Sequence, residues 1–167
     1  LLLDRIDSKE IEIELPYEQP LKVHARYTRD QILAGIGLST FDRKSPSREG
    51  VAVNQKLNTE VLFINLIKSE ENFSPTTMYD DYAINETLFH WQSQNSAGPD
   101  TPKGISYIKH QEDDKIILLF VREKNKDEYG NSMGYVFVGE GVLKEHYGAK
   151  PMSIKWELNE PLPPYLW

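Results

Sequence analysis

Apolar and polar residues alternate with period two along much of this chain, and that alternation predicts strands. Ile11–Leu15 alternates apolar and acidic residues, a strand with one buried face that Pro16 ends. Leu21–Ala25 repeats the pattern, with Leu21, Val23 and Ala25 inward and Lys22 and His24 outward. Gly50–Val53 and Val61–Ile67 follow as strands joined through a turn at Asn58-Thr59. Lys115–Arg122 is the most hydrophobic run, and its length predicts a strand buried on both faces. Gly134–Leu143 predicts a strand broken at Gly139 and Gly141, where a bulge, a barrel corner or a close ligand is expected. Met152–Leu158 alternates again, with Met152, Ile154, Trp156 and Leu158 inward.

Helical spacing is rarer. Thr28 is an N-cap, Asp30 adds first-turn charge, and Ile32, Leu33 and Ile36 share a face before Gly37, which predicts a helix over Arg29–Ile36. Gly104–His110 is a helix or a strand, with Ile105 and Ile108 favouring one helical turn. Asn95–Pro102, Tyr129-Gly130-Asn131 and His146-Tyr147-Gly148 read as turns. About seven or eight short strands predict an α+β, mainly β fold: a small, closed or partly closed β-barrel with one or two short helices.

The 167 residues, 39% hydrophobic and 27% charged, fit one globular domain, 1–167. The start at Leu1 reads as a cut from a longer protein, with 1–10 as the tail of a preceding region. With no Cys there is no disulfide, thiolate metal site or Cys nucleophile, which fits a cytoplasmic setting. No apolar run approaches the roughly 20 residues that span a bilayer, so no membrane role is expected. The net charge of −7 argues against a surface that holds nucleic acid mainly by neutralising phosphates.

The central stretch, Ser74–Asn95, combines aromatic and hydrogen-bonding residues. Period two puts Phe89, Trp91 and Ser93 on one face and Leu88, His90, Gln92 and Gln94 on the other. Phe89 and Trp91 read as core. Tyr79 and Tyr82 can stack on a base, Asp81 can accept from a cytosine amino group, and Gln92, Gln94 and His90 can bond base edges. The same row also suits the wet face of an ordinary sheet. The loop Ser39–Gly50 is the most basic in the chain; Arg43, Lys44, Ser47 and Arg48 suit phosphate oxygens, or a solvated loop.

Catalytic constellations are weaker. Pro99-Asp100 with Asp113-Asp114-Lys115 matches a magnesium-nuclease pattern only formally, because both acidic positions fall in loops. The four histidines lack metal-ligand spacing, and no Gly-x-Ser-x-Gly elbow is present. No catalytic residue, metal or cofactor is expected.

Several stretches resemble one family: Tyr27–Ala34, Lys44–Val51, Tyr79–Gln94, Ile117–Glu123 and Lys150–Leu158. That family is the accessory domain at the C-terminus of bacterial DEAD/DEAH-type helicases that also carry a phospholipase-D-like nuclease. The resemblance spans about Leu2 to Leu166 and brings no catalytic residues with it. It implies a prokaryotic restriction or defence setting, with helicase and nuclease domains in the same chain as partners. Tyr135–Ile154 also has the rhythm of SRA- and PUA-type base-reading barrels. The resulting expectation is a non-catalytic DNA-recognition domain that reads sequence or a modified base. The alternative is a protein-interaction or self-association domain docking on the helicase or a partner subunit, which the acidic charge favours.

Overall fold

Six of the seven residues of Ile116–Arg122 are buried, as a strand covered on both faces must be. The computed structural model describes residues 10–38, 50–66 and 81–167. In chain order its strands are β1 (Arg26–Tyr27), β2 (Val51–Asn54), β3 (Thr59–Asn65), β4 (Tyr82–Asn85), β5 (Leu88–Gln92), β6 (Ile116–Arg122), β7 (Tyr135–Tyr147) and β8 (Ser153–Leu158). The helices are α1 (Arg29–Gly35) and α2 (Pro102–Ile108), and a 3-10 turn, Pro164–Leu166, ends the chain.

One mixed sheet holds all eight strands, in the order β2-β3-β6-β7-β8-β5-β4 with β1 beside β7. β3 and β6 run parallel, Thr59 opposite Ile116 through Asn65 opposite Arg122. The other pairs are antiparallel. β7 is shared: its first half pairs with β6 and its second half with β8. The change of partner falls where the register slips between Leu119 and Phe120, opposite Gly139 at φ +106°. That conformation suits glycine, so the break expected at Gly139 is a bulge.

Beyond the bulge, β8, β5 and β4 fold over one face of the first half. Leu62, Ile64, Ile117, Leu119 and Val138 there meet Phe89, Trp91, Ile154 and Trp156 in one core. The opposite face carries a second core, where Val61, Phe63, Leu118, Phe120 and Phe137 pack on Ile32, Leu33 and Ile36 of α1. The expected barrel is thus only partly formed: among the described residues no hydrogen-bonded ladder joins β2 to β4.

Local signals explain several elements. Thr28 caps α1 through a reciprocal box with Gln31, and Gly37 at φ +77° follows its end. Asn58, at φ +49°, closes the β2–β3 turn. The expected helix at Gly104–His110 is α2, as the Ile105–Ile108 spacing favours, but it starts earlier, at Pro102, and ends at Ile108.

Three expectations need correction. Ile11–Leu15 and Leu21–Ala25 form no ladder: Ile11 bridges Val23, and His24 and Ala25 exchange backbone bonds with Phe137 of β7. Pro16 and Pro20 remove donors there, and His24 sits at φ +74°. Their alternation survives as burial: Ile13, Leu15 and Tyr17 lean on the second core while Glu12, Glu14 and Glu18 face solvent. From Asp81 onward the central stretch is a hairpin: the Asn85 side chain accepts the Thr87 N–H at 2.9 Å where the chain turns between β4 and β5. His146 and Tyr147 extend β7 and the turn starts at Gly148, because β8 supplies their ladder partners.

Close contacts flank α2 on both sides. Its Gly104 packs so closely on Gly98 that a Cβ would lie 1.7 Å from the Gly98 carbonyl oxygen. After the helix, His110 sets its Nδ1 3.0 Å from the Lys115 carbonyl and accepts the Leu143 N–H on Nε2 at 3.1 Å. The Nε2 acceptor requires a neutral ring with its proton on Nδ1.

Gly104→Ala should lower stability by about 3 kcal/mol, because backbone and not a flexible side chain must move; urea denaturation measures it, and an unchanged midpoint would contradict the packing. His110 gives a pH signature. Burial, aided by the Lys115 ammonium and opposed by the Lys115 carbonyl, holds its pKa below the ordinary histidine value. The unfolded chain therefore takes up that proton at a higher pH than the fold does. The stabilisation is complete above roughly pH 6.5 and is lost as pH falls towards the folded value. Thermal melts should show Tm dropping on acidification, and His110→Asn should flatten that slope. A slope unchanged in the variant would assign it elsewhere, for instance to His24, which burial also lowers.

Candidate functional site

The register of β4, β5, β8 and β7 builds one solvent-side face. Tyr82 lies opposite His90, His90 opposite Lys155, and Lys155 opposite Glu145. One step along, Gln92 lies opposite Ser153 and Ser153 opposite Tyr147. Side chains in register on one face meet across the strands. The Tyr82 ring stacks on His90, centroids 4.7 Å apart and planes within 19°. His90 Nε2 lies 3.0 Å from the Tyr147 hydroxyl. His90 is 3% exposed, while Tyr82 and Tyr147 each keep 48% of their own surface open.

The polar groups around this stack are organised. Asp81 Oδ1 accepts the Gln92 backbone N–H at 2.9 Å. The Gln92 amide nitrogen lies 3.4 Å from Ser153 Oγ. Lys155 and Glu145 pair at 2.8 Å; that bond lowers the carboxyl's pKa and raises the ammonium's. Open aromatic rings beside amide and hydroxyl groups can stack a flat heterocycle and bond its edge.

Four expected site residues therefore come together: Asp81, Tyr82, His90 and Gln92. Gln94 does not join them. The chain leaves the ladder after Gln92, and Gln94 Oε1 lies 3.2 Å from the Tyr107 hydroxyl, on the core side. Arg43, Lys44, Ser47, Arg48 and Tyr79 lie outside the described residues. Sequence reading missed Tyr147, Ser153 and Lys155. The outward positions of β8 were legible from its alternation, but its pairing with β5 was not.

A second cluster was missed altogether. Glu60 of β3 is fully buried. Its Oε1 accepts from Lys103 Nζ at 2.6 Å and Lys115 Nζ at 2.8 Å, and its Oε2 from the Tyr107 hydroxyl at 2.6 Å. Burial and the Glu60 charge both push the Tyr107 pKa upward, so the phenol keeps its proton and donates it. The lysine of the formal nuclease pattern is thus bound to Glu60. These bonds tie α2 to β3 and to the start of β6.

Removing one member of a buried ion cluster strands the others without water. Glu60→Gln should cost about 3–5 kcal/mol, read by urea denaturation. Lys115→Met should cost more than Lys103→Met, because Lys115 is 11% exposed and Lys103 33%. Equal losses for the two lysines would show that burial does not set the strength of this cluster.

Against known proteins, no curated sequence matches the chain. Among solved structures, the crystal structure of Arabidopsis thaliana SUVH6 in complex with SAM is similar, with a TM-score of 0.49 and 13% identity. The match covers 97% of this chain and 31% of that one, so the chain spans about a third of its length. The model of the family described as a domain of unknown function, DUF3427, matches residues 21–167, and the chain belongs to that family.

Proposed function

We propose that this chain is a DNA-recognition domain, without catalysis of its own, in a prokaryotic restriction or defence helicase–nuclease, and that it reads a plain or modified base on the β4-β5-β8-β7 face. The carrying observation is the Tyr82–His90–Tyr147 cluster: Tyr82 stacks on the buried histidine, Tyr147 lies tilted beside it with its hydroxyl at Nε2, and the Gln92 amide is near. Rings fixed in this way lose little freedom when a base stacks on them. The setting comes from the family resemblance of the sequence. In this reading the curled sheet is a base-reading barrel of the SRA/PUA kind, left open between β2 and β4. The net charge of −7 keeps non-specific affinity low, so selectivity rests on the base contacts.

A second reading has its own observation. β4 pairs with β5 alone among the described strands, and it exposes Tyr82 (48%) and Ile84 (41%). An edge of this kind can accept a strand from a protein partner, the helicase or a partner subunit included.

Binding of labelled duplexes and single strands, unmodified or methylated at cytosine or adenine, separates the two across a salt series. Tyr82→Ala should weaken base-dependent binding by about 5- to 150-fold, the equivalent of roughly 1–3 kcal/mol of stacking. Gln92→Ala should narrow the preference between bases. No binding to any strand at low salt, or variants that bind as the parent does, would overturn the DNA reading.

A further inference from the structure

Two phenol rings adjoin one buried imidazole on the β4-β5-β8-β7 face. Tyr82 stacks on His90, and Tyr147 lies tilted at 41° to it with centroids 6.1 Å apart. Both tyrosines are exposed. Lys155 lies opposite His90 across the β5–β8 ladder. Its ammonium is close to both rings: the bond to Glu145 raises its pKa most, desolvation opposes the rise, and Tyr147 and Tyr82 add to it. One cation therefore sits beside two open aromatic rings.

The use of rings decides the strand state of the ligand. In a duplex each base has its two faces against its neighbours, and the grooves present edges. A phenol reaches a base face only where that base is unpaired and out of its stack. Two rings on one sheet surface ask for two such bases. A strand already unpaired supplies them without the unstacking that a duplex would have to undergo. Charge points the same way. A domain of net charge −7 repels the dense phosphates of a duplex more than the sparser ones of a single strand. The Lys155–Glu145 pair is 2.8 Å long but lies in solvent, where ion pairs hold weakly. A phosphodiester that joins bases on the two tyrosines competes with Glu145 for the same ammonium.

We propose that this face takes single-stranded DNA, with successive bases on Tyr82 and Tyr147 and the phosphate between them on Lys155 in place of Glu145. The inference rests on the base-reading function proposed above and adds the strand state to it. His90 is a positioning residue: it carries the Tyr82 ring and meets the Tyr147 hydroxyl at 3.0 Å, which sets the two platforms relative to each other. Glu145 is a counter-charge that the strand displaces, so the site demands bases as well as phosphate.

Fluorescence anisotropy of a labelled mixed-sequence oligodeoxynucleotide, alone and annealed to its complement, tests this on the whole chain. The single strand should bind about tenfold or more tightly than the duplex. Tyr147→Ala should weaken single-strand binding about tenfold, within the range of one lost base stack. Tyr147→Phe keeps the ring and should retain most of the affinity. Glu145→Gln should tighten binding about threefold, because the competitor for Lys155 is gone; Glu145 is exposed, so that variant leaves the fold intact. Lys155→Met should flatten the salt dependence by about 0.7 in the logarithmic slope. A duplex bound as tightly as its single strand would overturn the strand assignment and leave base reading in place. Tighter binding of the same sequence as RNA would overturn the assignment to DNA. A Glu145→Gln variant that binds as the parent does would take the phosphate away from Lys155. No binding in any arm would overturn both this inference and the reading beneath it.

Discussion

The parallel pairing of β3 with β6 is the constraint on which the rest of this domain depends. Parallel neighbours cannot be joined by a tight turn. The chain must leave the end of β3, travel, and return to the start of β6. The described part of that journey builds β4, β5 and α2, and therefore most of the candidate face. It also explains the charge inside the fold. Glu60 sits at the start of β3, Lys115 just before β6, and Lys103 and Tyr107 on the helix between them. The buried carboxylate fastens the crossover to the strands that it connects.

What the sequence made legible was set by neighbours along the chain. The Thr28 cap, the Asn58 turn, the continuous apolar run of β6 and the alternation of β8 all follow from residues within a few positions of each other. The bulge at Gly139 was legible because only a few backbone conformations ask for glycine inside a strand. Failures came where distant residues decide. Gln94 obeys the period-two rule on paper, but its strand has ended and Tyr107 of α2 stands across from it. Ile11–Leu15 alternates as a strand should, yet its bridge partner is limited to Val23. The Tyr82–His90–Tyr147 cluster needs β4, β5, β8 and β7 in register, and no local pattern encodes that register. The contact of Arg122 with the Tyr135 ring was hidden in the same way, because a strand-end arginine reads as solvated until its ring partner is known.

Charge is handled locally along β7. On the aromatic face Lys155 and Glu145 pair, and rings and amide groups make up the rest. At the other end of β7 Glu123 pairs with Arg26, while among the described residues the Arg122 guanidinium bonds Asn65, Asn125 and the Met133 carbonyl.

The β3–β6 ladder also carries a cost during synthesis. Thr59–Asn65 emerges long before Ile116–Arg122, the strand that will cover one of its edges. Until then one edge of its backbone groups is left unpaired, with β2 on the other edge and α1 against one face. Pairings between distant segments are reached slowly, because loop entropy is lost before contacts are gained. The nascent domain is therefore exposed to intermolecular strand pairing for longer than a meander of hairpins would be. Protection of this edge while the chain grows is a requirement written into the topology.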